Sequence, residues 1–366
     1  MFGIILLSAV TVMHVYVFWR ASSVPFLRRH VTGRTFIIAG VVLWALFLAG
    51  RIHGHDSPGA LAMVLEPAGM IWMAVLFLIA VPLFVVDVIT GFGMLMAGAA
   101  LWMRSAAIGI GVVLSLIALV QGTRPPVMRN YEVRLPGLAP GLDNTVIVGL
   151  SDLHLGSLRN ETWLHKRVSQ VQAGQPDIIV LLGDIFEGHG RPSKEFIAEL
   201  RGLKAPMGVW AVLGNHEFFG RDDGIVPLFR EAGITVLRNE SVKVRPGLAL
   251  AGVDDLTSNH NAGSNADLVA GTLASSSGAT VLLSHTPWNA GMAAKAGAGL
   301  MLCGHTHGGQ IWPFGYVVKS IYPLLAGRYD VEGMTVIVSR GAGLWGPPMR
   351  LWQPGEIIRV TLRARK

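Results

Sequence analysis

Charge is what this sequence has least of. Lys, Arg, Asp and Glu supply only 14% of its 366 residues, and 51% are apolar, whereas ordinary soluble domains carry about 25% charge. The deficit is local. Up to Gln121 there are six arginines, three acids and no lysine, a balance of +3, while 122–366 hold 24 basic and 20 acidic residues, a balance of +4. The first third is therefore lipid-like and the remainder has the composition of a soluble domain. No block of basic residues accompanies the net charge of +7, which argues against nucleic acid as a partner. A single cysteine, Cys303, excludes an intramolecular disulfide framework and any multi-cysteine zinc site.

Four apolar stretches fill the first third: 2–19, 36–50, 67–86 and 94–120. Each approaches the ~20 residues that cross a hydrocarbon core. The first is read as a membrane span and not a cleaved signal, because no basic segment precedes it and no small-x-small site follows. Arg51, His53 and His55 stand at the end of the second, Pro82 is expected to kink the third, and Arg104 is expected to shorten the fourth to 106–120. Arginines 20, 28, 29, 34 and 104 fall on one side and 51, 124, 129 and 134 on the other. By the positive-inside rule this favours a soluble domain outside the cytoplasm. His14 and Asp87 are polar residues inside or at the ends of spans. They are read as helix-pairing or interfacial residues before they are read as a pathway.

Beyond a proline-containing linker and a leading strand (123–144), the pattern becomes strand, loop, helix, strand. Apolar runs at 145–150, 177–182, 209–213, 248–253, 280–284 and 298–303 read as strands, most of them buried on both faces. Helices are expected at 160–173, 193–203, 223–232 and 266–274, short strands at 131–135, 235–237 and 242–244, and final strands at 335–339 and 357–362. Five of the strands deliver Asp, His or Asn at their C-terminal ends, the edge where α/β sheets bind ligands.

These tips are Asp152, His154, Asp184, Asn215, His285, His305 and His307. Imidazole nitrogen, carboxylate and one amide oxygen suit Mn, Fe or Zn better than Ca or Mg. Seven ligands exceed one tetrahedral ion. They fit two divalent ions ~3.5–4 Å apart sharing a carboxylate, the arrangement that splits phosphate esters.

The segments Asp152-Leu153-His154, Gly183-Asp184, Gly214-Asn215-His216-Glu217, Ser284-His285 and Gly304-His305-Thr306-His307 resemble, in this order, the calcineurin-like metallophosphoesterases. The resemblance covers 145–362. The Gly-His-Thr-His-Gly-Gly-Gln form and the apolar front look most like a membrane-anchored bacterial branch with relatives among UDP-2,3-diacylglucosamine pyrophosphatases. It implies a four-layer α/β (α+β) sandwich of two mixed sheets flanked by helices, occupying 145–366 after an all-α transmembrane domain at 1–122. One metal would be held by Asp152, His154, Asp184 and His307, the other by Asp184, Asn215, His285 and His305. His216 would contact the substrate phosphate and protonate the leaving oxygen, oriented by Glu187, and a dimetal-bound hydroxide would attack phosphorus. The membrane tether suggests a lipid or lipid-linked phosphate ester or pyrophosphate, in a bacterial plasma membrane.

Secondary candidates for substrate binding are Asp254, at a strand end, and Arg340 and Arg350, which flank a glycine-rich loop. His189 and His260 are loop histidines that could border the same cleft. A solvated surface role is the alternative for each. Ser151 and Ser284 lack the glycine pattern of a serine nucleophile. Two other functions remain open: a membrane sensor or scaffold whose phosphoesterase-like domain binds without turnover, and a transporter, for which paired intramembrane charges would be needed. Nothing in the sequence bears on oligomeric state.

Overall fold

The structure, a computed structural model, describes residues 2–53, 60–156, 159–187, 192–219, 222–258 and 264–364. His55, His189 and His260 lie outside them. Two compact units result: Met1–Thr123 with Gly346–Leu351, and Arg124–Trp345 with Trp352–Lys366.

The first unit contains helices α1 (Phe2–Ala21), α2 (Pro25–His30), α3 (Gly33–His53), α4 (Ala60–Ile89) and α5 (Ala97–Gly122). Among the described residues four helices are long and apolar enough to cross a membrane, within Gly3–Ala21, Gly33–Ile52, Met63–Ile89 and Ala97–Gly122. α4 continues through both Pro67 and Pro82.

The expectation that Arg104 shortens the fourth span is corrected: α5 already begins at Ala97, and Arg104 is buried inside it. It can be, because it has a counter-ion. Arg104 donates through Nε and Nη2 to Asp87 Oδ1 at 3.1 and 2.9 Å. Arg20 Nε and Tyr16 Oη donate to Asp87 Oδ2 at 2.6 and 2.7 Å. Asp87 therefore ties α1, α4 and α5 together, a helix-pairing role. His14 likewise pairs helices, stacking on Phe18 and accepting from Trp72 Nε1 at 3.3 Å.

The second unit runs β1 (Val127–Arg134), β2 (Val146–Leu150), α6 (Glu161–Ala173), β3 (Ile178–Leu182), α7 (Lys194–Leu200), β4 (Val209–Val212), α8 (Asn215–Phe219), α9 (Asp222–Glu231) and β5 (Thr235–Val236). It continues with β6 (Glu240–Arg245), β7 (Leu248–Gly252), α10 (Asn265–Ala274), β8 (Ala279–Leu283), α11 (Ala290–Lys295), β9 (Leu300–Cys303), α12 (Gly315–Ile321), β10 (Gly327–Val331), β11 (Met334–Val338) and β12 (Glu356–Arg363). The side chains of Asn160, Ser193 and Ser264 cap α6, α7 and α10 by accepting backbone N–H groups, the usual device for the orphan donors of a helix start.

The strands form two six-stranded sheets, ordered β1-β12-β2-β3-β4-β5 and β10-β11-β9-β8-β7-β6. Both are mixed: β2 to β5 run parallel with β12 antiparallel to β2, and β7, β8, β9 and β11 run parallel with β6 and β10 antiparallel at the edges. Strand parity assembles the layers. Ile147, Ile178, Val180 and Val212 from one sheet share a core with Leu250, Val281, Leu283 and Leu302 from the other. Val148, Leu150, Ile179 and Leu181 point the opposite way, onto α6, α7 and α9. Leu282, Met301, Cys303 and Val336 pack under α10 and α11. The result is helix, sheet, sheet, helix, with the C-terminal ends of β2, β3 and β4 and those of β8 and β9 opening on one site.

Candidate metal centre

Three of the strand tips, those of β2, β3 and β9, pass into left-handed backbone turns. Asp152, His154, Asp184, His305 and His307 all have positive φ, from 47° to 73°, a region that non-glycine residues occupy rarely. The turns reverse the chain at the sheet edge, so that side chains from different strands face one another.

Two groups result. Asp152, His154 and His307 form one, with His154 Nε2 3.2 Å from His307 Nε2 and His307 Nε2 3.4 Å from Asp152 Oδ1. Asp184, His285 and His305 form the other, with His305 Nδ1 3.2 Å from His285 Nε2 and 3.0 Å from Asn215 Oδ1. One atom serves both: Asp184 Oδ2 lies 3.2 Å from His285 Nε2 and 3.9 Å from His154 Nε2. All seven ligand candidates from the sequence are thus brought together.

Ring orientation tests whether these donors fit a metal. A ligating imidazole engages its outer nitrogen with a carboxylate, carbonyl or hydroxyl, which leaves the inner lone pair free. Here His285 Nδ1 donates to the Leu182 carbonyl at 2.7 Å, His154 Nδ1 meets Glu187 Oε2, and His305 Nε2 meets the Tyr322 hydroxyl at 2.8 Å. Three inner nitrogens therefore face other donors at about 3.2 Å, an arrangement that a shared cation stabilises. The donor set fits two borderline divalent ions.

Electrostatics sharpen the division. Burial pushes the Asp152 carboxyl up. Burial also opposes ionisation of Asp184, yet His285, His216 and His154 hold it well below the usual carboxylate range. His285 is raised well above the ordinary value against its burial, chiefly by Asp184. His305 is lowered to about 4 by burial and by the neighbouring His285.

His216 stands beside this cluster, its Nδ1 3.2 Å from Glu187 Oε2 and its Nε2 3.9 Å from Asp184 Oδ2. Burial works against its charge, but Asp184 and Glu187 raise it to about 9. Glu187 is shared, since the same oxygen also meets His154 Nδ1.

The weaker candidates have protein partners of their own, and Arg340 also adjoins the His-x-His loop, where a Cβ on Gly308 would stand 3.1 Å from its Cγ. Asp254 receives Arg238 Nε and Nη2 and the Asn239 amide at 2.9–3.1 Å, so its carboxylate braces a strand end. Arg340 donates to Glu356 Oε2 at 2.7 Å and to Gln353 Oε1 at 2.9 Å. Arg350 is buried in the segment grouped with the helices, its backbone N–H donating to the Ala118 carbonyl at 3.0 Å.

Two residues that brace the site escape the sequence reading. Glu217 belongs to a quoted motif but has no role assigned there. Its buried carboxylate accepts the N–H groups of Gly214, Asp184, Ile185 and Phe186 at 2.8–3.2 Å, stitching the β3 and β4 loops together. Its spacing was the signal: an acid at the third position of α8 reaching back to the residue before the helix is half of a capping box. Burial, with Asp184 beside it, raises Glu217 to about 7. Tyr322, the partner of His305, leaves no comparable signature.

A profile of the calcineurin-like phosphoesterases matches residues 145–309. An uncharacterized metallophosphoesterase of Campylobacter jejuni is 32% identical over 265 residues, covering 70% of this chain and 68% of that protein. The chain belongs to the calcineurin-like metallophosphoesterases. An uncharacterized metallophosphoesterase of Aquifex aeolicus is 33% identical over 65% of this chain and 92% of its own. A Bos taurus transmembrane protein with metallophosphoesterase domain is 33% identical over 70% of this chain, but the match spans only 62% of the bovine protein. With its four apolar helices, this metallophosphoesterase is a membrane protein.

Proposed function

We propose that this metallophosphoesterase hydrolyses a phosphate ester, diester or pyrophosphate carried on a lipid or lipid-linked molecule, using two divalent ions drawn from Mn, Fe and Zn. The observation that carries the reading is Asp184 Oδ2, one carboxylate oxygen placed between two imidazole groups at 3.2 and 3.9 Å. Asp152, His154, Asp184 and His307 would hold one ion, and Asp184, Asn215, His285 and His305 the other. When bound, the pair supplies Lewis acidity toward phosphoryl oxygens and a water-derived nucleophile near neutral pH. The protein's own groups do the rest. His216, with its Nδ1 held 3.2 Å from Glu187 Oε2, donates a proton to the leaving oxygen. Glu187 is a positioning residue, fixing the His216 and His154 rings through one oxygen.

Hydrolysis of bis(p-nitrophenyl) phosphate by the full chain with Mn tests this. Asp184→Asn is expected to lower the rate about 100-fold or more together with bound metal. His216→Ala is expected to lower it by about 10²–10⁴-fold with metal content unchanged. A rate unaffected by Asp184→Asn would overturn the dimetal reading.

We place the protein in a bacterial plasma membrane with its catalytic domain outside the cytoplasm, on the arginine distribution. Reporters fused after Lys366 check it: phosphatase fusions should be active and fluorescent-protein fusions dark, and the reverse pattern refutes it.

A further inference from the structure

Among the described residues of the second unit, the large apolar side chains left exposed are Val127 and a set confined to 312–352. Most of that set lies in one stretch, 311–326, which runs from the His-x-His loop through α12. It holds Trp312, Phe314, Tyr316 and Tyr322, a single cation (Lys319) and no acid. Tyr316 is 70% exposed, Val317 53% and Ile321 58%. The patch is continuous: Trp312 packs on Trp352 with ring centroids 5.0 Å apart, and Gln310 hydrogen-bonds the Trp345 backbone through both its amide atoms.

A soluble surface does not gather such residues without a partner. Composition and connectivity name this one. Trp and Tyr concentrate where a bilayer meets water, and interfacial helices set apolar and aromatic residues into the headgroup boundary with a cation beside them. Gly122 ends α5 and Val127 begins β1, so the connector can span at most about 18 Å. Trp345 and Trp352 stand one residue either side of Gly346–Leu351, which packs with the apolar helices as part of their unit.

We infer that 311–326, with Trp345 and Trp352, is a bilayer-docking surface seated in the interfacial layer. The same stretch carries Tyr322, whose hydroxyl meets His305 Nε2 at 2.8 Å, and Leu325, whose carbonyl accepts the Thr306 hydroxyl. The docked segment thereby adjoins the His-x-His loop at His305 and Thr306, and a phosphate at headgroup depth is the substrate it serves. That last step rests on the lipid-linked reading above; the docking itself does not.

The test uses the full chain in vesicles of phosphatidylethanolamine and phosphatidylglycerol. Cys303 is fully buried, so a nitroxide reagent is directed to introduced Tyr316→Cys or Ile321→Cys, with exposed Lys204→Cys as the aqueous control. Labels at 316 and 321 should show a several-fold higher ratio of oxygen to nickel-chelate accessibility than the label at 204. A ratio equal to the control would overturn the inference. Protection from both reagents would also overturn it, since a second copy or another protein would then cover the face. Hydrolysis of bis(p-nitrophenyl) phosphate, measured on the same samples, reports folding and the metal centre separately from docking.

Discussion

A Cβ built on Gly214 would collide with Asp184 Oδ1, and one on Gly304 would collide with Ser151 Oγ and stand 2.6 Å from Asp152 Oδ2. The glycines of the Gly-Asn and Gly-His motifs thus leave room for the two carboxylates that the metals need. Gly304→Ala is therefore expected to displace Asp152 and lower the rate of diester hydrolysis by about 100-fold, the order of effect of a 1 Å misplacement. Gly271→Ala is the control, since a Cβ there meets nothing within 4 Å. It should keep full activity, and comparable rates for both variants would dismiss the steric argument. At this scale the sequence is informative about residue types and order, because ligand chemistry restricts the choice to His, Asp and Asn. It is silent about side chains whose partners come from elsewhere in the fold. Asp254 looks like a cleft acid until Arg238 is seen to grip it, and Glu217 looks like a bystander until four backbone N–H groups converge on it.

Among the elements, the strands were the most legible. A run such as Ile178–Leu182 is apolar at every position because both of its faces are covered, one by the opposing sheet and the other by helices. Runs of that kind mark themselves within a residue or two of their true ends. The sequence is least legible at Ala290–Lys295 and in the stretch between Gln310 and Thr335. The β10–β11 hairpin turns on Glu332-Gly333, both with positive φ, and Glu-Gly lacks the Asn-Gly or Asp-Gly signature that announces such a turn. α11 and α12 are six and seven residues long, shorter than the window over which a helical period can be read. The expected fourth membrane span falls short of α5 for a different reason. A lone arginine breaks hydropathy, and only the fold reveals the aspartate, seventeen residues earlier, that neutralises it.

For the whole molecule, the question is whether the helical unit and the phosphoesterase unit stand as separate cooperative bodies. The second has a probe of its own. Residues 1–123 contain no cysteine, and Cys303 lies fully buried in the phosphoesterase core, where burial also pushes its thiol well above the ordinary range. A thiol-reactive dye therefore reports unfolding of the second unit alone. In the helical unit Arg20 and Arg104 share Asp87, and all three side chains are at most 7% exposed. Asp87→Asn leaves two buried guanidinium groups without a counter-charge, and removing one partner of a buried ion pair costs about 3–5 kcal/mol. In detergent-solubilised full chain, Asp87→Asn should lower the temperature at which the share of helical circular dichroism from α1 to α5 is lost, while leaving unchanged the temperature of Cys303 labelling and of the remaining helical loss from α6 to α12. If both transitions fall together, the two units unfold as one body, and the division of the chain near residue 123 is a geometric boundary without thermodynamic meaning.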